Sequence, residues 1–461
     1  MSRKLYLGTT AFCGLVVTLM PAFAQELEGL QATFGVEQRF EAGDNLSLDI
    51  PESGSSAFST TAFDLNVLSQ TRTQSLRFNL GAALRYGDVE QGVDTGLVDP
   101  NIGFNYSTTG ANALLSFGAS YAESDVSFDR SLSDFEDEDG VIVLPEDFEG
   151  LNGTGTREVA RANARIETGL QDPIGFVLFA NAAQTTYRNL SAGSTLDDFE
   201  RLGAGGSILF RFSSVTTAFI DAEYSRFTSD DTQQTDRRTT SVSVGADHAI
   251  SATTRIVGSI GYSETDTEDF GVTEVDEGVI GSLTWSRDLS SGSVETSFDV
   301  TQNENGRRAT LLFARMMPIP LGSLSYSIGV TDSDTFDANV IGSLNWQRNL
   351  PTGRVFARLN RQISSNSEDD ERLFTTLALG YLYDINSVSS IGFDASYGAS
   401  EFDNANDVNR TDLSISYNHA LTQDWTLSSG VSYRIRDEQN VGEADSQSIF
   451  VTLRREFDLL R

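Results

Sequence analysis

The chain has 461 residues, with 32 Lys and Arg against 66 Asp and Glu, one Cys, two His, eight Pro and forty Gly. A hydrophobic share of 39% with 10% aromatics argues against disorder, and one cysteine excludes an internal disulfide framework. A net charge of −34 excludes a nucleic-acid surface, whose phosphates need a basic partner.

The first element reads as a processing signal. Arg3 and Lys4 precede an apolar run from Leu5 to Met20, and Pro21-Ala22-Phe23-Ala24-Gln25 supplies a small-x-small cleavage pattern, with the cut expected after Ala24. Cys13 follows Phe12, whereas a lipidated cysteine needs a small residue before it. Loss of 1–24 leaves 30 Arg, no Lys, no Cys and a net charge of −36. No later stretch is apolar enough for a membrane helix. Export by such a signal, with no later helix to stop it, leaves the periplasm, the outer membrane or the medium for residues 25–461.

Period-two alternation recurs along this body. In 76–86 the even positions are Leu76, Phe78, Leu80, Ala82, Leu84 and Tyr86, while the odd positions include Arg77, Asn79 and Arg85. Segment 293–301 sets Val294, Phe298 and Val300 against Glu295 and Asp299, and 412–420 sets Leu413, Ile415 and Tyr417 against Asp412, Ser414 and Ser416. Strands with an apolar outside and a small or charged inside match an antiparallel up-and-down transmembrane barrel, so residues 25–461 are expected to form a single β-barrel domain in the outer membrane of a Gram-negative bacterium. Counting such segments predicts 22 strands (18–22). They start near 30, 58, 75, 96, 113, 156, 174, 200, 217, 237, 254, 275, 293, 307, 321, 336, 353, 371, 389, 409, 425 and 446.

The connections separate by length. Short turns such as Thr71 to Gln74, Ser290 to Gly292 and Pro351 to Gly353 suit the periplasmic side. Longer acidic segments suit the outside: 43–57, 87–96, 128–155, 189–196, 229–236, 264–273, 365–371, 402–409 and 437–445. Trp285, Trp346 and Trp425 all fall beside short turns and are expected as an interface girdle at one rim. His248 and His419 are expected at that rim too, facing outward. The run Val279 to Leu289 returns as Val340 to Leu350, as two similar strands of a meander would. The last strand alternates Ile449, Val451, Leu453, Arg455 and Phe457, a pattern expected to engage the barrel-assembly machinery.

Taking the apolar face as lipid-facing defines pore-lining candidates. The basic ones are Arg77, Arg85, Arg157, Arg161, Arg165, Arg354, Arg358, Arg434 and Arg436. The acidic ones are Asp221, Glu223, Glu295 and Asp299, with Asp394 and Asp412 on the same face. Arg157, Arg161 and Arg165 form a ladder with steps of about 13 Å. The longest outer loop, 128–155, carries Asp134, Glu136, Asp137, Glu138 and Asp139 as constriction candidates, and Glu146, Asp147 and Glu149 beyond them. Folded inward, those carboxylates would oppose the arginine ladder and set up a transverse field. A salt-bridged wall under a solvated lid is the alternative. No cofactor or metal pattern is present in the sequence, and the expected surroundings are outer-membrane lipid and lipopolysaccharide.

The Phe34-Gly35-Val36-Glu37-Gln38-Arg39-Phe40 start, the Asp44-Asn45-Leu46 after it and the finish at 450–457 resemble the outer-membrane β-barrel porins associated with exopolysaccharide gene clusters. That resemblance implies a channel, with secreted polysaccharide as a candidate cargo and partner. Three functions follow: a passive channel for ions and small hydrophilic solutes, a conduit for polysaccharide export, or a structural barrel without an open pore. An enzyme would need a luminal or rim His beside Ser or Asp, and both His are expected at the wrong rim. A TonB-dependent transporter would need a plug domain before the barrel, and a first strand near Leu30 leaves no room for one.

Overall fold

The computed structural model describes residues 29–137, 139–365, 371–402 and 406–460. The expected leader, its cut after Ala24, and Cys13 lie outside the described residues, as does Glu138.

Twenty-two strands account for most of the chain. The first eight are β1 (Gly29–Asp44), β2 (Ser55–Gln70), β3 (Gln74–Asp88), β4 (Gly96–Thr109), β5 (Ala113–Asp125), β6 (Thr156–Thr168), β7 (Ile174–Arg188) and β8 (Phe199–Arg211). Next come β9 (Thr216–Ser229), β10 (Asp236–Ser251), β11 (Thr254–Asp269), β12 (Val272–Leu289), β13 (Gly292–Asn303), β14 (Gly306–Ile319) and β15 (Gly322–Ser333). The remainder are β16 (Asn339–Leu350), β17 (Gly353–Ser365), β18 (Glu371–Asn386), β19 (Ser389–Glu401), β20 (Val408–Ala420), β21 (Trp425–Glu438) and β22 (Gly442–Leu460). Every expected strand start lies within four residues of an observed one.

Each strand pairs antiparallel with its sequence neighbours, and β1 pairs with β22 from Asp44 opposite Gln447 to Ala32 opposite Leu460. The sheet is thus a closed 22-stranded antiparallel barrel in which every strand is paired on both sides over at least part of its length. Closure satisfies the backbone polar groups that hydrocarbon could not. The two ends that carry the family resemblance are partners across this seam, with the Phe34 and Phe457 rings 6.2 Å apart.

The alternation sorts the two faces. Leu80, Leu178, Ile260, Val279, Ile328, Val340, Ile415 and Ile449 are all exposed large apolar side chains of one parity, which is the outer face. The other parity points into the lumen. Trp285, Trp346 and Trp425 share the outer parity and sit at the ends of strands adjoining short turns. Arg455 shares it too, with its guanidinium 5.2 Å from the Trp425 ring and 4.3 Å from Phe457. His248 and His419 also face outward at this rim, each hydrogen-bonded to a neighbouring hydroxyl, Thr216 at 2.9 Å and Ser389 at 2.8 Å.

One expected loop is absent. Segment 264–273 continues β11 and β12 and turns only at Phe270 and Gly271, both with positive φ (51° and 75°). Two successive left-handed residues make the tight hairpin turn that follows the strand twist. Thr265 and Thr267 alternate with Glu264, Asp266 and Glu268, so the period of two runs on beyond the apolar band. The β13–β14 connection, 304–305, is equally short. The separation of loop lengths therefore lapses at these two connections and returns between β15 and β16 (334–338) and between β19 and β20 (402–407), against two-residue turns such as 320–321 and 351–352 on the other side.

Candidate functional site: a loop folded into the barrel

After Asp125 the chain leaves the wall and turns into the lumen. Segment 126–155 holds two single-turn 3-10 helices, Leu132–Phe135 and Phe148–Gly150. Its apolar residues Leu132, Ile142, Leu144 and Phe148 are buried against Phe374, Ala378 and Val408, whose parity points inward from β18 and β20. The main apolar core of this barrel is thus inside the lumen, between loop and wall. Burying each such side chain contributes about 1.5–3 kcal/mol. That is ample reason for the loop to fold inward instead of lying in water.

Arginines of the inner wall hold the loop by its carbonyl groups. Arg434 donates to the carbonyls of Arg130 (2.6 Å) and Leu46 (3.0 Å). Arg436 donates to those of Glu149 (2.6 Å) and Leu151 (3.3 Å). Arg372 donates to Pro145 O at 2.8 Å and pairs with Glu149, while Thr376 reaches Ile142 O at 2.9 Å. The loop returns one bond, from Leu132 N to the Asp412 carboxylate at 2.5 Å. Arg372, Arg434 and Arg436 are almost fully buried. A buried loop carries backbone groups that must be paired, and guanidinium forks supply several donors each.

The arginine ladder divides along its length. Arg157 makes a two-pronged contact with Asp147, Nε at 2.5 Å and Nη2 at 3.1 Å, and the Tyr187 hydroxyl donates to the same carboxylate. Arg165 pairs along its own strand with Glu167 at 2.8 Å, and Arg161 stands exposed. Among the described residues Asp134, Glu136, Asp137 and Asp139 do not pair with this ladder, whereas Asp147, which the same expectation included, does. Asp147 lies closer in the chain, beside Arg157, and is buried there. Asp134 instead accepts from Ser131 N at 3.0 Å, and Asp137 accepts from Asp139 N and Val141 N, each at 2.9 Å. These carboxylates organise their own turn. Glu136 lies toward Arg358 on β17. Burial pushes its carboxyl above the ordinary range, and the Arg358 charge opposes that. Gly140, at φ +73°, lies against the Arg358 guanidinium where a Cβ would collide.

Of the other candidates, Arg85 pairs with Asp125 at 2.7 Å and lies over the Phe128 ring at 5.0 Å. Arg358 lies over Phe356 at 4.4 Å. Arg77 and Arg354 have inward parity near the short-turn end and are exposed. Asp221, Glu223, Glu295, Asp299 and Asp394 also face inward. Among the described residues no ion pair engages Arg77, Arg161, Arg354 or these five acids.

Between the loop and the wall a gap of about 460 Å³ remains. Val143, Leu144 and Glu146 border it on the loop side, and Arg201, Phe227, Arg237 and Gln362 on the wall side. Glu146 meets Arg201 at 2.8 Å, and Arg237 meets Glu304 at 3.3 Å. Both guanidinium groups lie over Phe227, at 4.4 and 5.0 Å. Arg201, Arg237, Arg372 and Arg410 were not singled out by the sequence reading. Their inward parity is legible, but which inward arginines meet the loop is not. No group of three or more His, Cys, Asp or Glu among the described residues is arranged to hold a metal ion.

No protein-family model matches the sequence, and no curated protein matches it. Solved structures share the fold. The siderophore receptor PirA from Pseudomonas aeruginosa aligns over 93% of this chain and 80% of its own, with TM-score 0.51 and 11% identity. The FrpB iron transporter from Neisseria meningitidis aligns over 92% and 81%, with TM-score 0.55 and 9% identity. The copper transporter OprC aligns over 93% and 81%, with TM-score 0.52 and 13% identity. At such identities the likeness is one of architecture alone.

Proposed function

We propose that the chain is an outer-membrane channel that passes ions and small hydrophilic solutes through a lumen narrowed by segment 126–155. The observation that carries this reading is the loop itself, pinned across one side of the barrel while a polar gap stays beside it. Charged side chains are tolerable inside a barrel only when hydrated or paired. Asp221, Glu223, Glu295, Asp299 and Asp394 have no ion-pair partner among the described residues, which supports a water-filled interior with cation preference. The fold neighbours are receptors and transporters, in keeping with transport and not catalysis. The outer tryptophans and the β22 pattern support lipid and lipopolysaccharide as surroundings and insertion by the barrel-assembly machinery, after removal of a leader at Ala24.

Polysaccharide export is the weaker reading. A sugar track needs open aromatic faces, whereas Phe219, Phe227 and Phe374 are buried and Phe356 carries Arg358. Conductance of the refolded protein in a planar bilayer under a KCl gradient tests the proposal. Cation-selective current is expected. Absence of current would leave a structural barrel, and current blocked by acidic or neutral oligosaccharides would favour export.

A further inference from the structure

The β11–β12 hairpin rises beyond its neighbour. β12 pairs with β11 from Arg287 opposite Thr254 to Val272 opposite Asp269, but with β13 only from Gly281 onward. No other backbone hydrogen bond reaches 272–280 among the described residues. The Gln302 side chain covers Gly278, so the bare edge runs from Val272 to Glu277, about 20 Å of strand. A strand margin of this kind presents unpaired N–H and C=O groups, a template for another strand. The edge stands clear of hydrocarbon, because the outer face changes from Tyr262 and Val279 to Glu264 and Glu277 below it.

Its chemistry selects the partner. Glu264, Asp266, Glu268, Asp269, Glu274, Asp276 and Glu277 fall within 264–277, with no Lys or Arg among them. None of them has an ion-pair partner among the described residues. Between the acids, Phe270 is 75% exposed and Val272 70%. A second copy of this edge would set carboxylate against carboxylate, and anionic lipopolysaccharide would be repelled in the same way. We propose that the β12 edge docks an extended basic segment of a partner protein, which adds to the sheet as a strand alternating Lys or Arg with apolar residues. The inference does not depend on the channel reading.

A fluorescent ten-residue peptide alternating Lys and Val, titrated by anisotropy against the full-length protein in detergent, tests it. The same peptide with alternate amides N-methylated keeps its charge and loses the ladder bonds, and is expected to bind at least about tenfold more weakly. Replacing 267–274 by Asn-Gly should abolish binding while heat-resistant barrel migration and conductance stay unchanged. If that variant fails to fold, the pair of peptides still decides on the native protein. Equal binding of both peptides would reduce the effect to bulk charge and overturn the proposal. So would a hairpin-dependent dimer in light scattering, or hairpin-dependent binding to lipopolysaccharide vesicles in Ca²⁺.

Discussion

Two arcs of the same lumen are built differently. On β3, β6, β18, β20 and β21 the inward arginines Arg85, Arg157, Arg372, Arg410, Arg434 and Arg436 are buried and engaged with loop groups, and Tyr187 on β7 adds a hydroxyl. From β9 to β16, no hydrogen bond or ion pair joins the wall to segment 126–155 among the described residues. There the inner face is a ladder of hydroxyl pairs, Ser259 with Ser282 (2.8 Å), Thr310 with Thr331 (3.0 Å) and Ser327 with Ser343 (2.8 Å), set among unpaired acids. The difference teaches that one wall can serve as a mould for a loop on one side and as a wetted surface on the other. The deciding feature is whether the inward arginines find carbonyl acceptors.

The largest effect should come from erasing the gripping arc's ligand. Replacing 131–150 by a short Gly-Ser link should raise single-channel conductance several-fold with the barrel still heat-resistant. Unchanged conductance would mean the loop does not bound the current path. Next, Arg436→Ala removes the donor to two buried carbonyls. An orphaned buried acceptor costs about 1–3 kcal/mol, so limited proteolysis within 126–155 should accelerate sharply, and less so in Arg436→Lys. Equal protection of wild type and Arg436→Ala would show that the apolar core alone holds the loop.

Charge changes should split the two arcs more gently. Arg161→Glu, and the combination Asp221→Asn with Asp299→Asn, should move reversal potentials in opposite directions, toward and away from cations, with folding largely intact. Loss of folding without a selectivity change would make these groups structural. Glu146→Gln breaks a half-exposed pair with Arg201, worth about 0–1 kcal/mol, and should alter open-channel noise more than mean current.

The smallest expected effect is that of pH. Burial pushes Asp129 up to about 7, with Glu41 adding to the rise and Arg39 and Arg434 opposing it. A quarter of its side chain stays exposed, which weakens the shift. The docked loop holds this proton between about pH 7 and the ordinary Asp range near 4, where a released loop would not. Docking should therefore strengthen as pH falls through 7 and weaken above it. Proteolysis of the loop at pH 8 against pH 5.5 measures this, and Asp129→Asn should remove the difference.

Strand number, starts and faces were legible because a bilayer imposes a period of two on every crossing segment, and one apolar face repeated 22 times leaves little ambiguity. Arg85, Arg157, Arg434 and Arg436 were recognisable as inward for the same reason. Their partners were not. Arg434 binds a carbonyl 304 residues away in the chain, and backbone carbonyls carry no signature in a sequence. Asp134 to Asp139 drew notice by density, yet Asp147 and Glu149 make the contacts, because burial depends on where the loop enters and on which wall it reaches. The hairpin at 264–277 misled for a related cause. Acidic residues suggest a loop, but Thr alternating with Glu and Asp is compatible with a strand, and only the register against β13 shows how far β12 stands free. Local periodicity thus determined the cylinder and its two faces by itself. What fills the cylinder was decided by closure, which brings β3, β6 and β18 to β21 around one loop.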